Sequence, residues 1–223
     1  MPAARLAVYL EVGRKLVFAS AAEWPGWSRS AKDEDGAIGA LLDYVDRYRP
    51  VAARAGLRLP AVKASSVDVV ERLPGDTTTD FGAPNAVAEA EHRPGTRAQA
   101  ARRAGLVQAA WDTLDEVAAH APQALRKGPR GGGRDRDAVV AHVFGGEQAY
   151  AAKIGLRLGP SPKLTGPEAD AWRAPLLAAL SEPDPPGGRL STTGKPGWPG
   201  AYCARRVAWH VLDHVWEIED KSS

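Results

Sequence analysis

The fold class predicted for this chain of 223 residues is α+β: a small strand-strand-helix-strand unit over residues 1–75, then a four-helix bundle over residues 96–223. Three observations predict it. Two β-prone runs near the start, Leu6 to Val12 and Leu16 to Ser20, are separated only by Gly13-Arg14-Lys15, a glycine-containing turn of hairpin length. Gly, Pro and Thr punctuate the chain from Pro74 to Gly95 with no sustained period, which marks residues 76–95 as a connector. Beyond it the composition shifts to Ala, Leu and Arg with apolar residues at helical spacing.

Each element follows from local chemistry. The segment Glu23-Trp24-Pro25-Gly26-Trp27 must bend, because Pro25 has no N–H to donate and Gly26 favours a tight turn. From Ser30 to about Tyr48, acidic Asp33, Glu34 and Asp35 sit in the first turn and Ile38, Leu41, Leu42 and Val45 recur at helical spacing. Pro50 is expected to close that helix. Val67 to Leu73 reads as the third strand, and helices are expected near 96–120, 136–157, 167–181 and 200–220. A Gly-rich loop at 128–134 and a Pro-rich one at 183–200 join them, and long loops often carry function.

Composition narrows the function classes. Charged residues at 25% and hydrophobic ones at 44% suit a globular protein and exclude a fibrous or disordered chain. Twenty-nine Lys plus Arg against 27 Asp plus Glu leave +2, too weak a charge to predict a nucleic-acid partner. The lone Cys203 excludes an internal disulfide framework and suits a reducing compartment. No apolar run reaches a membrane span of roughly 18 residues, and the N-terminal apolar stretch is too short for a secretory signal. A soluble cytoplasmic protein is expected.

The residues that carry chemistry lie in the helices. Two of the five histidines form His210-x-x-x-His214, and residues four apart share a helix face with Cβ atoms about 5–6 Å apart, close enough for two imidazoles to hold one metal. His142, in the second of the four helices, supplies a third nitrogen if that helix packs beside the last and points inward. Three imidazoles with one open position form a catalytic rather than a closed structural site. Taken alone, the pair also suits two partly buried helix histidines.

From about residue 96 onward the chain resembles the DinB-like family, also called DinB/YfiT-like metalloenzymes, four-helix bundles with a histidine triad. The matching residues are His142 in His142-Val143-Phe144-Gly145-Gly146-Glu147-Gln148-Ala149-Tyr150 and the His210/His214 pair. The resemblance implies a divalent metal, zinc or nickel, and in some members thiol transfer with mycothiol or bacillithiol. Gly145-Gly146 departs from the pattern, since each glycine costs about 1 kcal/mol against alanine in a helix interior; the pair either bends the helix or makes room for a ligand. Residues 5–73 resemble the HicB-like fold of antitoxins through Tyr9-Leu10-Glu11, Phe18-Ala19-Ser20, Trp24-Pro25-Gly26-Trp27 and the helix opening Asp33-Glu34-Asp35-Gly36-Ala37-Ile38. There a DNA-binding module follows, whereas here helices follow, so the implied role is protein contact, including a homodimer, or a wall of the active site.

Other candidates surround the triad. Glu217, three residues past His214, is placed to accept an imidazole N–H or act as a general base, and Tyr150, two turns past His142, to donate to substrate. Arg126, Lys127, Arg130 and Arg134 crowd a glycine-rich loop that leads into the His142 helix, a candidate site for a carboxylate or phosphate. Cys203 lies two turns before His210 but has no resolving partner and is not expected to be a nucleophile. His92 and His120 read as surface or capping residues; Trp209 and Trp216 anchor the last helix, and Trp172 and Trp198 line a pocket or the core. Two function classes follow. One is a metal-dependent transferase or hydrolase acting on a small anionic or thiol-bearing substrate; the other is a non-enzymatic partner-binding or antitoxin-like regulatory protein with a structural or sensing metal.

Overall fold

A computed structural model describes residues 5–128, 132–163 and 165–222. The hairpin forms as expected: β1 (Leu6–Val12) pairs antiparallel with β2 (Val17–Ala21), Glu11 opposite Phe18 and Val8 opposite Ala21. A strand that the sequence reading did not anticipate follows. β3 (Ser28–Ala31) pairs antiparallel with β2 along the sheet edge; its Ser-Arg-Ser-Ala sequence has no apolar alternation to announce it. β4 (Val67–Pro74) then lies parallel to β1, and the sheet order is β3-β2-β1-β4. The connection between β3 and β4 is two helices, not one. α1 (Glu34–Asp43) starts where Asp33 caps the Gly36 amide at 2.7 Å, and stops at Tyr44. α2 (Val45–Arg54) starts immediately after and contains Pro50 rather than ending there. The proline withholds one N–H, yet Tyr48, Val51 and Ala52 are fully buried, so the packing of that face outweighs one missing hydrogen bond.

Alternation along the strands sends Leu6, Val8 and Leu10 into a hydrophobic core and Tyr9 and Glu11 to the opposite face. That second face is covered by the connector and by the last helix. Within the connector, α3 (Thr77–Asp80) is capped by Asp76, and the amides of Asn85 and Ala86 donate to the buried Glu11 carboxylate at 2.8–2.9 Å. Its carbonyls are gripped in turn: Tyr202 donates to Asn85, Arg205 to Ala86 and Arg206 to Pro84. Residues 84–91 are therefore a packed strap.

The helical region comprises α4 (Arg97–His120), α5 (Arg136–Lys153), α6 (Pro167–Leu180) and α7 (Gly200–Lys221), close to the expected spans. α7 is the central element and packs against each of the other three. Its Ala208 and Leu212 meet the Trp24-to-Trp27 turn at Gly26, where a Cβ would fall 2.7 Å from Leu212 and the backbone holds φ +93°. One core thus runs from Val8 and Leu41 through Trp27 to Leu114, Val143 and Val211. Inside it Arg173 meets Glu147 through two hydrogen bonds at 2.9 and 3.0 Å, and Trp111 donates to the same carboxylate at 2.8 Å. Glu147, five residues past His142, is therefore structural.

Candidate metal centre

α5 and α7 lie side by side, and each sets three positions four residues apart against the other. On α5 these are His142, Gly146 and Tyr150; on α7 they are Arg206, His210 and His214. The three expected imidazoles meet. His142 is exposed, His210 and His214 are 7% and 9% exposed, and their ligand nitrogens all lie within 4.8 Å of one another. The Nε2 atoms of His142 and His210 are 3.3 Å apart. Two nitrogens bound to one tetrahedral zinc at about 2.05 Å stand about 3.3 Å from each other, so this pair already has the spacing of two ligands on one ion.

One member of the unexpected glycine pair, Gly146, is accounted for by His210. A Cβ there would fall 2.5 Å from Cε1 and 2.7 Å from Nδ1 of His210, so only glycine admits the ring. Gly145, in contrast, has nothing within 4 Å of its Cβ position. The room is made for a histidine of the same chain. His214 is held from outside: its Nδ1 and a Glu217 carboxylate oxygen are 2.7 Å apart, and Lys221 also donates to Glu217. That contact leaves the His214 Nε2 for the cluster, the arrangement in which a carboxylate orients a metal-binding imidazole. Burial pushes the Glu217 carboxyl up, but hydrogen bonds from Lys221 and His214 outweigh it and hold the group below its usual range.

Electrostatics favour the neutral imidazole, the form that binds metal, at His210 and His142. Burial first, then His214, His142, Arg206 and Arg134, push His210 down to about 3. Burial, His214 and Arg134 lower His142 as well, against a raising effect of Glu217. Three imidazoles converging from two helices, with no carboxylate in the cluster, form a donor set that suits zinc or nickel better than a hard oxygen-seeking ion.

Tyr150 stands beside the cluster, its ring 5.8 Å from His210, and its hydroxyl accepts from Arg206 at 3.2 Å. Trp198 packs on Tyr150 at 5.4 Å, while Trp172 lies away against Phe144 and donates to the Gly159 carbonyl. Trp209 meets Phe18 of the sheet edge-on and Trp216 meets Tyr44, so both fasten α7 to the N-terminal unit. The basic loop is largely occupied with its own structure. Arg126 donates to the Asp220 carbonyl, Lys127 pairs with Asp135, and Arg130 lies outside the described residues. Of the three described members, Arg134 acts on the histidines, lowering two of them. Cys203 is fully buried and burial pushes its thiol up to about 12, so it is no thiolate at neutral pH. His120 bonds the Glu116 carbonyl one turn back, as a helix-end residue does, and His92 is exposed just past the strap.

Comparison with known proteins finds no matching family model, curated protein or solved structure. The site therefore rests on its own geometry. Among the described residues, no helix is long and apolar enough to cross a membrane. Sequence reasoning overlooked Arg206. Its signal was its position, one turn before His210 on the face that carries both α7 histidines.

Proposed function

We propose that this chain is a divalent-metal-dependent enzyme of the DinB-like type, with α4 to α7 as its four-helix bundle and His142, His210 and His214 as ligands of one zinc or nickel ion. The observation that carries the reading is the convergence of three imidazoles from two helices, with His210 admitted by Gly146 and His214 steadied by Glu217. When bound, an ion held by three imidazoles lowers the pKa of a coordinated water from 15.7 towards about 7, or holds a thiol as thiolate. Glu217 keeps the His214 ring in one orientation. Tyr150 packs its ring beside His210 and rests its hydroxyl on Arg206, closing that side of the cluster. The exposure of His142 supports a substrate entrance at the surface end of the cluster. The substrate is a small anionic molecule, the cosubstrate a low-molecular-weight thiol such as mycothiol, and the setting the reducing cytoplasm. The HicB-like unit walls the helical region through Phe18, and the connector does so through the strap.

Thermal denaturation of the zinc-loaded protein with mycothiol tests this. A thiol at a hundred times its Kd stabilises by about 2.7 kcal/mol, which is roughly 5–10 °C for a protein of this size. That rise should vanish in His210→Ala. A flat response across thiols and small anions would overturn the enzyme reading in favour of a partner-binding protein with a sensing metal.

A further inference from the structure

Arginines in this chain meet carboxylates in a recurring way. Nε–H and an Nη2–H, on one side of the guanidinium, form a two-pronged edge that Arg72 sets against Glu34, Arg173 against Glu147 and Arg205 against Glu91. Arg206 has the same edge and no carboxylate on it. Its Nη1 donates to the Pro84 carbonyl, its Nη2 only reaches the Tyr150 hydroxyl at 3.2 Å, and its Nε is buried with no partner among the described residues. The residue is 5% exposed. Glu11, on the far side of the strap, is already engaged by the Thr79 hydroxyl and the amides of Asn85 and Ala86. A buried guanidinium without a facing anion is costly, and selection for stability alone would replace it with an apolar residue.

A second donor lies against it. The Trp209 indole ring sits 5.0 Å from the Arg206 Cζ, and its Nε1 is likewise buried without a partner among the described residues. Tyr150 covers the guanidinium at 5.3 Å. Arg206 precedes His210 by one turn, about 6 Å along the helix axis.

We propose that Arg206, with Trp209, is the subsite for a substrate carboxylate, one helical turn from the histidine cluster. The Nε–Nη2 edge takes the two carboxylate oxygens once Tyr150 releases its 3.2 Å contact, and the indole N–H supplies a further donor. One cationic charge with a planar edge matches a monoanionic carboxylate better than a phosphate dianion. A short-chain carboxylic acid whose other end reaches the histidines is the substrate class. The anion site expected at Arg126, Lys127, Arg130 and Arg134 thereby moves inside the helices. The inference rests on the metal reading for where the rest of the substrate lies, and not for the Arg206 edge itself.

Calorimetric titration of the metal-loaded full chain with succinate, and with inorganic phosphate as the comparison, tests it on wild type, Arg206→Lys and Tyr150→Phe, with metal content measured on each. Succinate should bind more tightly than phosphate. Arg206→Lys keeps the charge but loses the edge, and should weaken succinate by roughly tenfold or more without changing metal content. Tyr150→Phe frees Nη2 and should bind succinate more tightly. Equal succinate affinity in Arg206→Lys, no succinate binding by wild type, or a preference for phosphate would overturn the subsite. If Arg206→Lys does not fold, Tyr150→Phe decides: tighter binding supports the subsite, and unchanged or weaker binding overturns it. Arg206-dependent binding to a wild type that holds no metal supports the subsite and removes the metal reading. One equivalent of metal with no Arg206-dependent binding does the reverse.

Discussion

Replacing Gly146 by alanine should separate metal affinity from fold stability, and replacing its neighbour Gly145 should not. Both glycines lie inside α5, where alanine is worth about 1 kcal/mol in helix propensity. At Gly145 the new methyl meets nothing within 4 Å, so the full gain should appear, as a rise of about 2–4 °C in melting temperature. At Gly146 the methyl falls 2.5 Å from a His210 ring atom. The ring, the end of a side chain, can swing aside at an overpacking cost of about 1–3 kcal/mol. Set against the propensity gain, the net loss is about 2 kcal/mol or less, under about 8 °C. The metal feels the change more. Disturbing only the outer partner of a ligand costs about 10–100-fold in affinity, so displacing the ligand itself should reach at least the upper end of that range. The assay is competition for zinc against a chromophoric chelator, with thermal denaturation of the metal-free variants alongside. Wild-type zinc affinity in Gly146→Ala would refute the reasoning, because the ring would then not be where the metal needs it.

Other expectations use the same geometry. Glu217→Gln weakens the acceptor on His214 and should lower zinc affinity about 10–100-fold with little change in metal-free melting temperature; competition titration measures it, and unchanged affinity would detach Glu217 from the site. Arg173→Met strands the buried Glu147 carboxylate and should cost about 3–5 kcal/mol, read as a fall in urea midpoint without loss of the three histidines' zinc binding in what remains folded. The histidines also predict a pH dependence. His210, pushed down to about 3, and His142, also lowered, bind fewer protons folded than unfolded. Their contribution to stability is therefore present above the unfolded value of about 6.5 and is lost as pH falls below it towards 3. Metal-free protein should melt progressively lower between pH 7 and 4.5, and His210→Gln should flatten that slope; a parallel slope in the variant would remove His210 as the cause.

What the sequence made legible was whatever carries a period or a chelate spacing. The four C-terminal helices, the β1–β2 hairpin and the His210/His214 pair were readable that way, because apolar residues at helical intervals and a His-x-x-x-His pair are local signals; His142 joined them only on the condition that its helix packs beside the last. Features decided by tertiary contact were not. β3 is polar and gains its identity only by pairing with β2, and Pro50 is tolerated because α2 buries its face against the rest of the chain. The strap looked like a plain connector, since its order comes from Arg205, Arg206 and Tyr202 more than a hundred residues away. Gly146 read as a weakness in a helix until the opposing residue was known to be His210. In the basic loop the charge is visible in sequence, but the pairing of Lys127 with Asp135 and of Arg126 with the α7 carbonyl is not.

The most direct test of the central claim is elemental analysis of the untagged full chain, purified without chelators, beside His210→Ala. One equivalent of zinc or nickel in the wild type and none in the variant is the predicted result. Equal metal in both, or none in the wild type even after reconstitution, would contradict it and leave His142, His210 and His214 as packed histidines.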